Sequence, residues 1–330
     1  MSMTLVESAK YSNDVLKKGI VELLVKDDPI LERLKFKDIK GNGLTYNEET
    51  TLSGAQFYGV GDTWVESTST VTQKTAVTQI LGGDADVDNF LRATRSNVQD
   101  LMGEQVTAKT KAIKRTFLDM FYYGDKDNDA NGFDGLHSLL TRVTSKASYN
   151  TVPVATSSGV ALALSLERVE EALDAIKNGD ADVIVMTKYM RRSINKYLNG
   201  VGGITKMDVQ GKSVQTLFDK PVIVSDHLSD DEAADKSFTD VWGDTRYGHN
   251  DTDGVSLGDD DNSTSIFCLQ FADDAVVGIQ SLGITTEKFS KLETKDASRV
   301  RIKWYPGLMF QSLISSSKVT GVSPSSTVTA

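Results

Sequence analysis

Four short runs carry residue types that could do chemistry. Asp127-x-Asp129-x-Asn131-Gly132 reproduces the first half of an EF-hand loop, with oxygen donors at alternate positions and a glycine for the sharp turn. The twelfth position should hold a bidentate glutamate, and it holds Ser138. Asp127, Asp129 and Asn131 are thus a partial ligand set for calcium, and the plainer reading is a polar turn. Gly254-Val255-Ser256-Leu257-Gly258 matches the G-x-S-x-G elbow of hydrolases, which needs a strand before it and a helix after it. Its flanks, HNDTD and DDDNSTS, read as neither. Gly200-Val201-Gly202-Gly203 lacks a preceding strand and a Lys-Ser/Thr partner, so no phosphate loop is expected. Asp259, Asp260 and Asp261 are consecutive, cannot all converge on one ion, and read as a solvated run. No two of His137, His227 and His249 are close in sequence, which argues against a histidine metal centre. No catalytic residue and no cofactor are expected. A calcium-dependent surface protein or a hydrolase is the reading from another class; calcium-shifted melting or Ser256-dependent esterase activity would support it.

Cations and aromatics are the next candidates. Lys109, Lys111, Lys114 and Arg115 cluster on one predicted helix, and Lys188, Arg191, Arg192 and Lys196 on another. Solvated faces paired with surplus acid are the plainer reading. A local patch against a polyanion is the alternative. Tyr46, Trp64 and Trp304 lie in sheet-like segments, where core packing is the default. Trp64 lies where few other large apolar residues do, and reads instead as an interface anchor.

The elements that must position these residues follow from periodicity. In 14–25, Val15, Leu16, Gly19, Ile20, Leu23 and Leu24 share one helical face, interrupted by Asp27-Asp28-Pro29. Ile30, Leu31 and Leu34 add a second apolar cluster, and the whole reads as an arm with a sticky face and little local core. Residues 41–82 open on the turn Gly41-Asn42-Gly43 and continue through Tyr46, three glycines, Trp64 and a Thr/Val-rich run. That composition predicts a long two-stranded excursion, marginal alone in water, which must lean on its own body or on another copy.

Over 88–123 a stripe of Leu91, Val98, Met102, Val106, Ile113, Phe117 and Phe121 predicts a long helix. About 30 residues would make a rod of roughly 45 Å. From 165 helix and strand alternate: Ser165 is the expected cap of a helix ended by Gly179, Asp182–Met186 a buried strand, Lys188–Leu198 a basic helix closed by Gly200, and Pro221–Ser225 another strand. Strands are expected over 266–271, 275–280 and 299–305. In the last, Val300, Ile302 and Trp304 alternate with Arg299, Arg301 and Lys303, giving one apolar face and one basic. The Ser/Thr-rich tail from 315 is expected to be flexible.

Composition narrows the function. The 330 residues carry 36 basic and 46 acidic side chains and a net charge of −10, which argues against a dedicated nucleic-acid binder. One cysteine, Cys268, excludes an internal disulfide framework. No apolar run is long enough to span a bilayer or to serve as a signal peptide, so no membrane partner is expected. A sticky arm, a projecting ribbon, a long rod and an α/β unit amount to more extension than one chain can bury, which favours an assembly protein.

That order, with particular words, resembles the tailed-bacteriophage major capsid protein family and its Hong Kong 97-type fold. The words are Gly41-Asn42-Gly43-Leu44-Thr45-Tyr46-Asn47-Glu48-Glu49, the rod of 88–123, Tyr123-Gly124-Asp125 leading to Gly132-Phe133-Asp134-Gly135-Leu136, and Phe218-Asp219-Lys220-Pro221-Val222. The resemblance implies an α+β chain: an N-terminal arm (1–41), an E-loop (42–82) lying over a neighbour, a P-domain with the spine helix (83–150, with return strand 284–305), and an α/β A-domain (151–283, with 306–330). It implies a structural role, self-assembly into an icosahedral shell around double-stranded DNA, and no enzymatic activity. The same fold also serves encapsulin-like compartments loaded with cargo enzyme. Implied partners are copies of the chain in pentamers and hexamers, a separate scaffolding protein, a portal and a decoration protein, with packaged DNA held by non-specific proximity. The implied location is the virion capsid, assembled in the host cytoplasm. Leu16, Ile20, Leu23, Tyr46, Glu48, Trp64 and Glu66 are expected at subunit interfaces. Lys109, Lys111, Lys114 and Arg115 are expected to face DNA.

Overall fold

The computed structural model describes residues 2–4, 28–51, 53–90, 94, 101–126, 129–141, 151–154, 161–177, 179–201, 203, 205–209, 212–230, 232, 237–239, 245–247, 263–290, 292–312, 314–324 and 327–329. The predicted helix over 14–25, and with it Leu16, Ile20 and Leu23, lies outside the described residues, as do Asp127 and the whole of 248–262.

β1 (Ser2–Thr4) is followed by α1 (Pro29–Arg33) and β2 (Lys35–Asp38), which pairs antiparallel with β1. α1 starts where Asp28 caps it: Oδ1 accepts from the N–H of Ile30 at 2.9 Å and of Leu31 at 3.4 Å, and Pro29 needs no N–H partner there. Ile30, Leu31, Leu34 and Phe36 are fully buried in the main core. The expectation of little local core thus fails for 29–39. One helical turn followed by a strand brings these residues onto Phe117 and Trp304, with Phe36 5.5 Å from Trp304 ring to ring.

β3 (Gly43–Thr51) and β4 (Thr70–Val77) form the two-stranded ribbon, in register from Gly43 opposite Val77 to Thr51 opposite Thr70. β5 (Leu81–Asp88) follows, where no separate strand was expected. α2 (Leu101–Tyr123) is a rod of 23 residues, about 35 Å long. Val106, Ile113, Phe117 and Phe121 of its stripe are buried as their spacing demands. After a turn comes α3 (Leu136–Thr141).

β6 (Thr151–Pro153), α4 (Leu166–Asp174), β7 (Val183–Met186) and α5 (Lys188–Val201) open the second unit. α4 ends at Asp174, short of Gly179, and α5 runs through Gly200. β8 (Thr205–Val209), β9 (Lys212–Leu217), β10 (Lys220–Val224) and the short pair β11 (Ser237–Thr239) and β12 (Thr245–Tyr247) follow. β13 (Thr264–Leu269), β14 (Val276–Phe289), β15 (Ala297–Phe310) and β16 (Ser317–Val322) complete the chain.

Two sheets organise the described residues. The first runs β1-β2-β14-β15-β5, and α2 packs its aromatic stripe on it around Trp304. The second runs β6-β16-β13-β7-β10-β9-β8. Alternation along β7 and β13 serves two cores. Val183, Val185, Phe267 and Leu269 face the core shared with α2 and α3, while Ile184, Met186, Ile266 and Cys268 face α4 and α5.

The expected flexible tail is overturned. Ser315 to Ser323 is buried, and β16 lies between β13 and β6. Two of the small hydroxyl side chains there find backbone partners. Ser317 Oγ donates to Ala172 O at 2.6 Å, and Ser316 Oγ accepts from Gln270 N at 3.2 Å.

Candidate subunit interface

The base of the ribbon is anchored to the body. Leu44, Tyr46 and Ala76 pack on Ile39, Val277, Ile279 and Met309. Gln79 N donates to Pro306 O at 2.9 Å, and the hydroxyl and amide of Thr78 both donate to Asn42 O. Tyr46, expected at a subunit interface, is therefore half-buried against its own chain. Glu48 lies on β3 opposite Thr72.

Beyond that base the ribbon leaves the body. Residues 53–69 are exposed apart from a half-buried Tyr58, and Phe57 and Val60 are fully open to solvent. Trp64 is 79% exposed and its ring stacks on Tyr58 at 4.3 Å. The Tyr58 hydroxyl accepts from Val65 N at 3.0 Å, which holds the two sides of the loop together. Glu66 is exposed beside them. Ile80 and Phe90, at 80% and 70%, add exposed apolar area at either end of β5. Together these exposed aromatic and branched side chains form an apolar surface on a projection without a core, which makes it the candidate interface. Sequence reading singled out Trp64 and missed Phe57, Val60, Ile80 and Phe90. The available signal was large apolar residues in glycine-punctuated chain with nothing nearby to bury them.

The cations of α2 divide by helical position. Lys109 and Lys114 flank the buried stripe and are half-buried. The stem of Lys109 lies over Gly83, where an added Cβ would sit 2.6 Å from its Cδ, and its charge acts on Asp84. Lys114 acts on Asp28. Lys111 is exposed and Arg115 half-buried. The basic face of β15 is neutralised by its neighbours. Arg299 makes a bidentate pair with Asp86 at 2.6 and 2.7 Å, Arg301 makes one with Asp84 at the same distances, and Lys303 meets Glu287 at 2.7 Å. Hydrogen bonds from these guanidinium groups hold the carboxyls of Asp84 and Asp86 below the usual range.

A buried polar seam joins α2 and α3 to the segment after β10, and sequence reading missed it. His227 Nδ1 lies 2.7 Å from Asp119 Oδ1. The Tyr123 hydroxyl donates to Glu232 Oε1 at 2.5 Å and accepts from Ser229 N at 2.9 Å, while Ser265 Oγ donates to Glu232 Oε2 at 2.5 Å. His137 stacks on Tyr123, its Nε2 3.5 Å from Glu232 Oε1. Burial first, and the charge of Glu232 second, push the Tyr123 phenol well above its usual value. From the sequence, His137 and His227 read only as scattered histidines and Tyr123 only as part of a turn, because the partners lie about a hundred positions apart. The seam has the form of a structural staple, with each carboxylate met by donors.

Other sequence candidates resolve into local structure. Asp129 Oδ1 accepts from Asn131 N at 3.0 Å, closing a polar turn. Among the described residues no cluster of three metal-ligating side chains forms. Gly203 N donates to Leu198 O at 3.0 Å, which makes the 200–203 run a helix exit rather than a phosphate loop. Burial pushes the Cys268 thiol up to about 12. Among the described residues no helix is long and apolar enough to cross a membrane.

The turn after α2 carries one of the quoted words. Gly135 N donates to Gly124 O at 2.8 Å, and a Cβ on Gly124 would sit 2.2 Å from Phe133 O. Only two glycines allow the exit of α2 and the entry of α3 to approach so closely.

Comparison with solved structures places this fold. The SrpI encapsulin of Synechococcus elongatus matches with a TM-score of 0.62 at 13% identity, covering 91% of this chain and 89% of that one. The capsid of a native GTA particle matches at 0.55 with 9% identity, over 89% and 90%. A chain of Microbacterium phage Oxtober96 matches at 0.56 with 11% identity, over 90% of each. The fold is therefore the α+β Hong Kong 97-type capsid fold. No curated protein sequence matches. The family model of the SU10 major capsid protein matches residues 4–229. Ribbon, rod and α/β unit thus have a common explanation: this chain belongs to the SU10 major capsid protein family, and its role is that of a structural protein of the virion capsid.

Proposed function

We propose that copies of this chain close into an icosahedral shell around double-stranded DNA. The observation that carries this reading is the ribbon of 43–77, whose tip exposes Phe57, Val60, Trp64 and Val65 and has no core of its own. The ribbon (42–82) acts as the E-loop and lays that tip over a neighbour, while 1–41 acts as the arm. Residues 83–150 with 284–305 act as the P-domain, and 151–283 with 306–330 as the A-domain around five- and six-fold axes. The two-sheet division of the described residues supports the partition in outline, with β14 and β15 extending the first sheet to 276–310. Heterologous contacts repeated about those axes close the shell.

The chain works by geometry and carries out no catalysis. The exposed Lys111 is the α2 cation best placed for packaged phosphates. A separate scaffolding protein, a portal and a decoration protein complete the particle, which assembles in the host cytoplasm. Between 42 and 82 the only lysine is Lys74, on β4 away from the tip, so subunits do not cross-link covalently. Boiled, reduced shells should run as one band; a ladder would overturn that.

Electron microscopy of the purified protein tests the main reading. Closed shells of uniform size are expected, and a monodisperse monomer at high concentration would end it. The similarity to the SrpI encapsulin favours one alternative, a compartment for cargo enzyme. Particle contents separate the two, nucleic acid for a capsid and protein for a compartment.

A further inference from the structure

α4 and α5 lie on the same face of the seven-stranded sheet, because both pack on the core that includes Ile184, Met186, Ile266 and Cys268. Their outer faces carry opposite charge. α4 exposes Glu167, Glu170, Glu171 and Asp174 with one cation, Arg168, which pairs with Glu171 at 2.6 Å. α5 exposes Lys188, Arg191, Arg192 and Lys196 and contains no acidic residue. Their spacing of three and four puts these cations on one stripe. Lys188 meets Asp226 and Arg192 stacks over Tyr189, whereas Arg191, Lys196, Glu167 and Glu170 have no ion-pair partner among the described residues. The two helices reach different edges of the layer. α4 packs over β6 and β16, at one edge of the sheet, while α5 starts from the segment past β16, where Ser193 Oγ donates to Pro324 O at 2.9 Å, and reaches β9 toward the other edge through Asn195 and Gln215.

We propose that the basic stripe of α5 docks against the acidic stripe of α4 on the next copy of this chain. Rotation about an axis brings one edge of this layer against the opposite edge of its neighbour, which is a head-to-tail contact. An acidic edge and a basic edge on one layer are complementary in that arrangement, and the order of the charges gives it a direction. Nucleic acid fits this face poorly, since four carboxylates stand in the same layer as the cations. The inference rests on the chain being a shell subunit and names one contact within the shell.

Charge reversal in the full-length chain tests it. Arg191→Glu with Lys196→Glu should lower subunit association about tenfold or more, and Glu167→Lys with Glu170→Lys should do the same. Both should keep the circular dichroism and melting of the wild-type subunit. Combining the four substitutions restores the pairing and should recover assembly, as scored by sedimentation and microscopy. Assembly of both double variants at wild-type levels would overturn the proposal, as would failure of the fourfold variant to recover while it remains folded. Intact shells with reduced nucleic-acid content from the α5 variant would also overturn it, identifying a polyanion surface instead. If the wild-type chain itself never assembles, the shell reading falls, a result distinct from any of these.

Discussion

Gly124 and Gly135 show how much one hydrogen atom can decide. A methyl group on Gly135 would lie 2.5 Å from Met120 O and 2.7 Å from Gly124 N, both backbone atoms that cannot yield. Gly135→Ala should therefore destabilise the chain by about 3 kcal/mol in urea unfolding. Phe218 and Asp219 show the reverse case. They form the two-residue turn between β9 and β10 with φ of 50° and 61°, a region that glycine occupies at no steric cost. Asp219→Gly should stabilise by about 1 kcal/mol, since the left-handed region costs an L-residue roughly 1–2 kcal/mol. A fall in melting temperature would contradict that account of the turn.

At the scale of elements, β5 and β15 are held together across their outer face by ion pairs. Asp84 and Asp86 have folded pKa values below the unfolded value of 3.8 because Arg301 and Arg299 donate into them. Their contribution is fully present above that value and is lost as pH falls through the lower folded values. Asp84→Asn with Asp86→Asn should thus lower the melting temperature at pH 7, and the gap from wild type should close below pH 3.8. A gap that stays constant into acid would rule out these carboxylates as its source. The ribbon behaves as a separate element. Replacing 53–69 by a short Gly/Ser turn should leave the melting of the body unchanged, because those residues contribute nothing to the core clusters. The same change should abolish shell formation, as read by sedimentation. Assembly of the shortened chain would show that the tip carries no interface.

For the whole molecule, the ribbon tip finds no burial within its own subunit, and the proposed shell would supply it from a neighbour. Limited proteolysis should cut within 53–69 in the isolated subunit and spare it in the shell. Equal cleavage in both states would mean that no neighbour covers the tip. The polar seam of Tyr123, His137, Asp119, His227 and Glu232 belongs to this scale too, since it fixes the α2–α3 unit against the segment after β10.

By itself the sequence determined whatever depends on near neighbours in the chain. The stripe of Val106, Ile113, Phe117 and Phe121, the alternation of Val300, Ile302 and Trp304, and the ribbon's poverty in core residues are all periodicities or compositions, which local geometry imposes wherever the chain lies. The words around Gly43, Gly124 and Gly135 were legible for the same reason, since a turn's backbone needs are local. Tertiary structure alone decided what depends on distant partners. Ile30, Leu31 and Leu34 became core because β2 joined β14, some 240 residues away in the chain. The Ser/Thr tail became a central strand because the carbonyl of Ala172 and the amide of Gln270 satisfied its hydroxyls. The opposed charges of α4 and α5 came onto one layer only once both helices settled on one face of one sheet. No window along the sequence spans such contacts, and their energy exists only when the chain has closed on itself.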